Sequence, residues 1–114
     1  MQGLRGRIAA TTMRIEAAAQ ESEAVDLRPF GQLVGIILPD DFSGTAIGLT
    51  AAISPDGPFV PVYHEGTDYS IPVAAGRYVA IDPAVLCGVP FVKVVSNVAE
   101  EEARSLMVIG RDFA

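Results

Sequence analysis

The sequence contains one cysteine, Cys87, and one histidine, His64. A single cysteine excludes an internal disulfide and a cysteine-built metal site, and it suits a protein assembled in a reducing cytoplasm. Cys87 reads as a small buried hydrophobe, because a nucleophilic thiol needs a base beside it and His64 sits in the turn-like segment HEGTD. No apolar run approaches the ~18 residues needed to cross a bilayer, so no membrane association is expected. The opening MQGLRGRIAATTMR lacks the continuous apolar segment and small-residue cleavage pattern of an export signal. GxSxG, a phosphate-binding loop, HExxH and a Cys-His pair are all missing, and one histidine leaves few routes to general acid-base work. The expectation is a non-enzyme without a cofactor. Basic residues are the minority, 8 against 14 acidic for a net charge of −6, so the surface field repels phosphate backbones and nucleic acid is not an expected partner.

What is present is a chain of 114 residues, 50% hydrophobic and 19% charged, which has the size and composition of one folded domain. Residues 1–7, with two glycines, two arginines and no period, read as an N-terminal arm, and 8–114 as a single domain. The stretch QLVGIILP, Gln32 to Pro39, is apolar at nearly every position and closed by Pro29 and Pro39, which predicts a strand buried on both faces. Ahead of it, in IAATTMRIEAAAQ the alanines and Glu16 favour helix and Thr11, Thr12 and Ile15 favour strand; the alternation of Thr11, Met13 and Ile15 with Thr12, Arg14 and Glu16 tips the reading to a strand with one wet face, and SEAVDL alternates again. TAIGLTAAI, Thr45 to Ile53, places Ile47, Leu49, Ala51 and Ile53 inward with a period of two. Ser54-Pro55-Asp56-Gly57-Pro58 is a tight turn, and Pro61 confines the short strand after it to an edge or a bulge.

Further on, Tyr69–Val73, Arg77–Ile81, Phe91–Ser96 and Arg104–Ile109 read as strands. Asp82, Pro83 and Gly88 carry the start and stop signals of one short helical turn at 82–88. Short strands with turn signals roughly every ten residues predict an all-β fold, an antiparallel β-sandwich that is jelly-roll-like with about eight strands.

The loop carboxylates Asp40, Asp41, Asp56, Glu65 and Asp68 match no calcium-loop spacing, and capping of turns by aspartate accounts for them. The run Glu100-Glu101-Glu102 reads as a solvated connection that discourages edge-to-edge pairing. Tyr63, Tyr69, Tyr78 and Phe59 are either an aromatic platform for a sugar, with Tyr63 and Tyr69 as the glycan contacts, or rim residues of a β core. Arg5, Arg7 and Arg14 put a basic arm on an acidic body. Such an arm serves solubility or docks on an acidic neighbour, including another copy of the chain.

In order along the chain, SEAVDL, LVGIILP, the turn SPDGPF, YVAIDPAVLCGVPFVKVVS and the closing ARSLMVIGR resemble small structural proteins of tailed phages, prophages and gene transfer agents. The resemblance runs from about Ser22 to Arg111 and lies in the order of strands and turns rather than in catalytic residues. The chain differs from the pattern where Tyr63 to Val73 is short and carries Pro72, and where Leu86-Cys87 replaces a more usual aromatic. The resemblance implies a virion structural protein on the capsid surface, either a capsid decoration (cement) protein or the base of a head spike. It implies binding to the major capsid protein and to copies of itself as a trimer or pentamer, with a fibre protein as a further partner and Arg5, Arg7 and Arg14 at the contacts. A tail or head-tail connector component and a glycan-binding sandwich are the alternatives.

Overall fold

Alternating apolar and polar positions become eleven strands, and no helix among the described residues, in the computed structural model of the chain, which describes residues 8–29, 31–86 and 88–111. The strands are β1 Ile8–Ile15, β2 Val25–Asp26, β3 Gln32–Ile37, β4 Ala46–Ala52, β5 Val60–Pro61, β6 Tyr63–His64, β7 Thr67–Asp68, β8 Ser70–Pro72, β9 Tyr78–Ala80, β10 Phe91–Ser96 and β11 Arg104–Arg111. One sheet has the order β1-β11-β3-β9, the other the order β2-β10-β4 with β5 and β8 both on the far side of β4, and β6 and β7 form a separate hairpin. Every pairing is antiparallel. The sheets face each other as a β-sandwich, with Met13, Leu33, Ile36 and Leu106 of the first and Ile47, Leu49, Val92 and Val94 of the second closing a continuous core. Each such side chain contributes roughly 1.5–3 kcal/mol by leaving water.

The long pairing of β1 with β11, Ile8 opposite Arg111 through Ile15 opposite Arg104, sends Met13, Ile15, Leu106 and Val108 inward, all at 0% exposure. The predicted two-sided burial of β3 is corrected by a bulge. Ile109 pairs with Gly35 but Gly110 pairs with Leu33, so Val34 is the extra residue. The bulge splices two alternating runs, which lets Leu33, Ile36 and Leu38 all face the core despite the odd spacing of Leu33 and Ile36, and leaves Ile37 outward.

In β4, Ile47 and Leu49 face the core as predicted, but the strand ends at Ala52 and Ile53, just beyond it, is 89% exposed. Thr50 and Ala52 are buried on the opposite face. There Lys93 Nζ lies 4.5 Å from the centre of the Phe59 ring, and the Arg28 guanidinium 4.9 Å from that of Phe91. Pro61 sits on a strand whose one partner is β4, as its missing N–H requires.

The short helical turn expected at 82–88 is not formed. The Ala84 N–H donates to Asp82 Oδ1 at 3.0 Å and the Val85 N–H to the Asp82 carbonyl at 3.1 Å, which closes turns rather than the i to i+4 bonds of a helix. So few residues do not repay helix nucleation, and Gly88, at φ +84°, ends the segment.

At one end of the sandwich the acidic run departs from its reading as a solvated connection. Glu101 and Glu102 are exposed, but Glu100 is 0% exposed. Its Oε1 accepts from Arg104 Nε at 3.0 Å and from the Ser43 N–H at 3.0 Å, while Arg104 Nη1 reaches Asp41 Oδ2 at 3.3 Å. The Glu100 carbonyl accepts from the Ala18 N–H at 2.7 Å, and the Glu100 N–H donates to the Ala19 carbonyl at 3.2 Å. Three loops are thereby tied at one buried residue, two through its carboxylate and one through its backbone.

Candidate interaction surface

Because inward positions of the first sheet are spent on the core, its outward positions would ordinarily be polar. Here they are not. The register places Thr12, Met107, Ile37 and Tyr78 in one row across all four strands, and Ala10, Ile109, Gly35 and Ala80 in the next. Ile8 is 65% exposed, Tyr78 54%, Met107 42% and Ile37 38%, half of the chain's exposed large hydrophobics among the described residues. The Tyr78 ring lies over Gly35, at whose α-carbon a methyl group would meet it, so a glycine inside a strand is covered by a cross-strand aromatic.

The four strands of this sheet contain no Asp or Glu, although the chain has 14. Their charges are Arg14, Arg104 and Arg111, of which Arg104 points inward. The face is therefore apolar with basic margins on an otherwise acidic protein. A contiguous exposed apolar face of this kind marks a protein contact more often than an accident of composition.

Of the residues singled out in the sequence, Arg14 lies on this face, its Nε 2.9 Å from Glu16 Oε2 and its side chain half exposed. Arg5, Arg7 and the rest of the expected arm at 1–7 lie outside the described residues, as does Cys87. Tyr63 and Tyr69 are on and next to the β6–β7 hairpin at the other sheet's margin. The exposed Tyr63 hydroxyl donates to the Gly66 carbonyl at 2.7 Å, which fastens its own turn. Tyr69 packs against the core and meets the His64 ring edge-on, centroids 5.8 Å apart. Burial raises the Tyr69 hydroxyl above its ordinary pKa, with the negative charge of Asp82 adding to the shift. Phe59 lies under Lys93 and Tyr78 on the first sheet, so of these four aromatics Tyr63 and Tyr69 alone share one hairpin.

The loop carboxylates are likewise separated: Asp41 pairs with Arg104, Asp40 sits beside Gly76, and Glu65 and Asp68 belong to the small hairpin. Among the described residues no three His, Cys, Asp or Glu side chains gather as a metal would require. Asp26 takes a bidentate contact from Arg28 at 2.7 and 2.9 Å, and this hydrogen bonding, the Arg28 N–H included, holds its carboxyl below the usual range.

Two grooves mark the open sides of the sandwich. One of about 470 Å³ runs between β8 and β9, lined by Ile71, Val73, Arg77 and Tyr78, and one of about 280 Å³ lies between β1 and β2, lined by Thr11, Thr12, Val25 and Pro29. The apolar row was missed in the sequence. Its signal was the presence of Met107 and Ile109 at the outward positions of β11, where a one-sided strand carries polar residues.

No known protein family and no curated protein matches the chain. Among solved structures, a chain from the Bacillus endospore appendages, described as a novel family of disulfide-linked pili, is similar over 96% of this chain and 92% of that one, at 16% identity and a TM-score of 0.38. A likeness at that level carries no weight for role.

Proposed function

We propose that this chain is a virion structural protein of a tailed phage or gene transfer agent, a capsid decoration (cement) or head-spike-base protein that binds the major capsid protein and copies of itself. The observation that carries the reading is the acid-free apolar face of the four-stranded sheet, a surface suited to protein contact rather than to catalysis or to a small ligand. The resemblance of the strand-and-turn order from Ser22 to Arg111 supplies the class of protein, and a non-catalytic role agrees with the chemistry that the sequence lacks. The strand order, β1-β11-β3-β9 facing β2-β10-β4-β8, with the chain crossing between the sheets at β1 to β2, β2 to β3, β3 to β4, β8 to β9, β9 to β10 and β10 to β11, supports a jelly roll. On the shell the protein stands as a trimer or pentamer, assembled in the bacterial cytoplasm, with neither nucleic acid nor membrane as a partner.

Reconstitution tests the reading. Purified chain is added to particles produced without it, and the particles are sedimented. Saturable co-sedimentation with mature heads supports a head accessory protein, whereas binding to tails alone supports a connector or tail component and binding to neither sinks the proposal.

A further inference from the structure

The outward face of the four-stranded sheet is self-complementary, and we propose that it pairs with the same face of a second copy about a two-fold axis running along the strands between β11 and β3. Sheets packed face to face keep their strand directions within about 30° of each other. A rotation about that axis keeps each row at its own height and reverses the order of strands across it. Met107 of one copy then lies on Ile37 of the other, and Thr12 on Tyr78, the smallest side chain of the row against the largest. In the next row Ala10 meets Ala80, and Ile109 meets the Gly35 position that the Tyr78 ring covers. Each pairing occurs twice, as an isologous contact requires. The opposite choice, an axis across the strands, would bring the Arg14 end of one face over the Arg111 end of the other and set like charges together.

Charge agrees with the same axis. Arg14 stands at the β1 corner of the face, and Asp40 at the β9 corner of the same end, where its Oδ1 lies 2.7 Å from the position of a Cβ on Gly76. The Gly76 N–H donates to the Pro39 carbonyl at 3.1 Å, which holds that corner in line with β3. Reversal of strand order places Arg14 of each copy against Asp40 of the other.

The area sets the strength. Strands of 8, 8, 6 and 3 residues, ~4.8 Å apart with ~3.3 Å per residue, cover on the order of 400 Å² per copy, or roughly 800 Å² for the pair, the size of a weak, transient interface. The free chain should therefore dimerise weakly and reversibly. The contact is a property of the chain alone, so its fate and that of the shell reading are decided separately. On a shell, a two-fold contact joins copies belonging to neighbouring rings.

Sedimentation equilibrium of the full chain across a micromolar-to-millimolar series tests the proposal. The expected result is a concentration-dependent doubling of mass, abolished by Met107→Glu or Ile37→Asp while circular dichroism stays that of the parent. Both side chains point outward, so neither change disturbs the core. Arg14→Asp and Asp40→Arg should each weaken association several-fold, and the double variant should recover most of the loss. A mass that does not change with concentration, an oligomer indifferent to Met107→Glu, or a double charge swap no better than the single ones would overturn it; a mass change only on adding capsid protein would give the face to that partner instead.

Discussion

Replacing Arg104 by alanine is expected to destabilise the fold by about 3–4 kcal/mol, because it leaves a buried carboxylate without its counter-charge. Glu100 is 0% exposed and Arg104 8% exposed, with 3.0 Å between Nε and Oε1. Once the guanidinium is gone, the Ser43 N–H at 3.0 Å is the remaining hydrogen-bond donor to that oxygen. One neutral donor does not replace a charge in a dry site. The second contact of Arg104, to Asp41 at 3.3 Å, adds little, since the Asp41 side chain is 68% exposed and a pair with an exposed member contributes at most ~1 kcal/mol. For a domain of this size each kcal/mol moves the melting temperature by about 4 °C, so the expected drop is roughly 12–16 °C. Urea denaturation followed by circular dichroism measures it. The double variant Glu100→Leu with Arg104→Met removes both charges together and should lose only about 1–2 kcal/mol, the part due to the Ser43 N–H left unpaired. A loss below about 1 kcal/mol for Arg104→Ala, or a double variant worse than either single change, would refute the view that this pair is a buried, mutually dependent lock.

Ala18 holds φ +66°, a conformation that a side chain disfavours, so Ala18→Gly should raise stability by about 0.5–1 kcal/mol, read as a higher urea midpoint. Gly44→Ala should do the reverse by about 2 kcal/mol, because a new Cβ would meet the buried Ser96 hydroxyl and the Phe42 ring; Gly66→Ala, at φ +86° with open space around it, should lose about 1 kcal/mol through backbone strain alone. Asp26, whose pKa is lowered chiefly by the Arg28 hydrogen bond, contributes stability that is present above the ordinary carboxylate range and is lost as the pH falls through its lower folded value. Asp26→Asn should therefore be slightly less stable than the parent at pH 7 and equal to it in strong acid, as compared by melting temperatures at both pH values.

Much of the fold was legible because one-sided strands write their orientation with a period of two. Met13 and Ile15 in β1, Val25 and Leu27 around β2, and Ile47 and Leu49 in β4 all face the core as their alternation requires. Where the reading departed, a local event broke the period. The bulge at Val34 made a spliced strand look uniformly apolar, and the run from Phe59 to Val73 was cut at Val62, the Glu65-Gly66 turn and Tyr69 into four short pieces, so eleven strands stand among the described residues where about eight were expected. The capping signals at Asp82 and Gly88 were real, but closed turns of a segment too short to propagate as a helix.

The candidate surface was harder to read, since it exists only once four distant strands are set in register. Nothing near Ile37 in the chain announces that Met107 and Tyr78 will flank it. Glu100 was hidden for a similar reason. A carboxylate at the head of an acidic run looks solvated until Arg104, four residues on, is placed beside it by the loop. Tyr63 and Tyr69, by contrast, were chosen on residue type alone, and residue type does not say that one hydroxyl will fasten its own turn and the other ring will pack against the core.

The measurement that bears most directly on the account is a cryo-EM map of the particle from which the chain comes, at a resolution that separates strands. The account predicts copies of this sandwich on the capsid surface, with the face bearing Met107, Ile37 and Tyr78 covered by protein. A capsid bare of such density, with the sandwich found in the tail or nowhere in the particle, would contradict it.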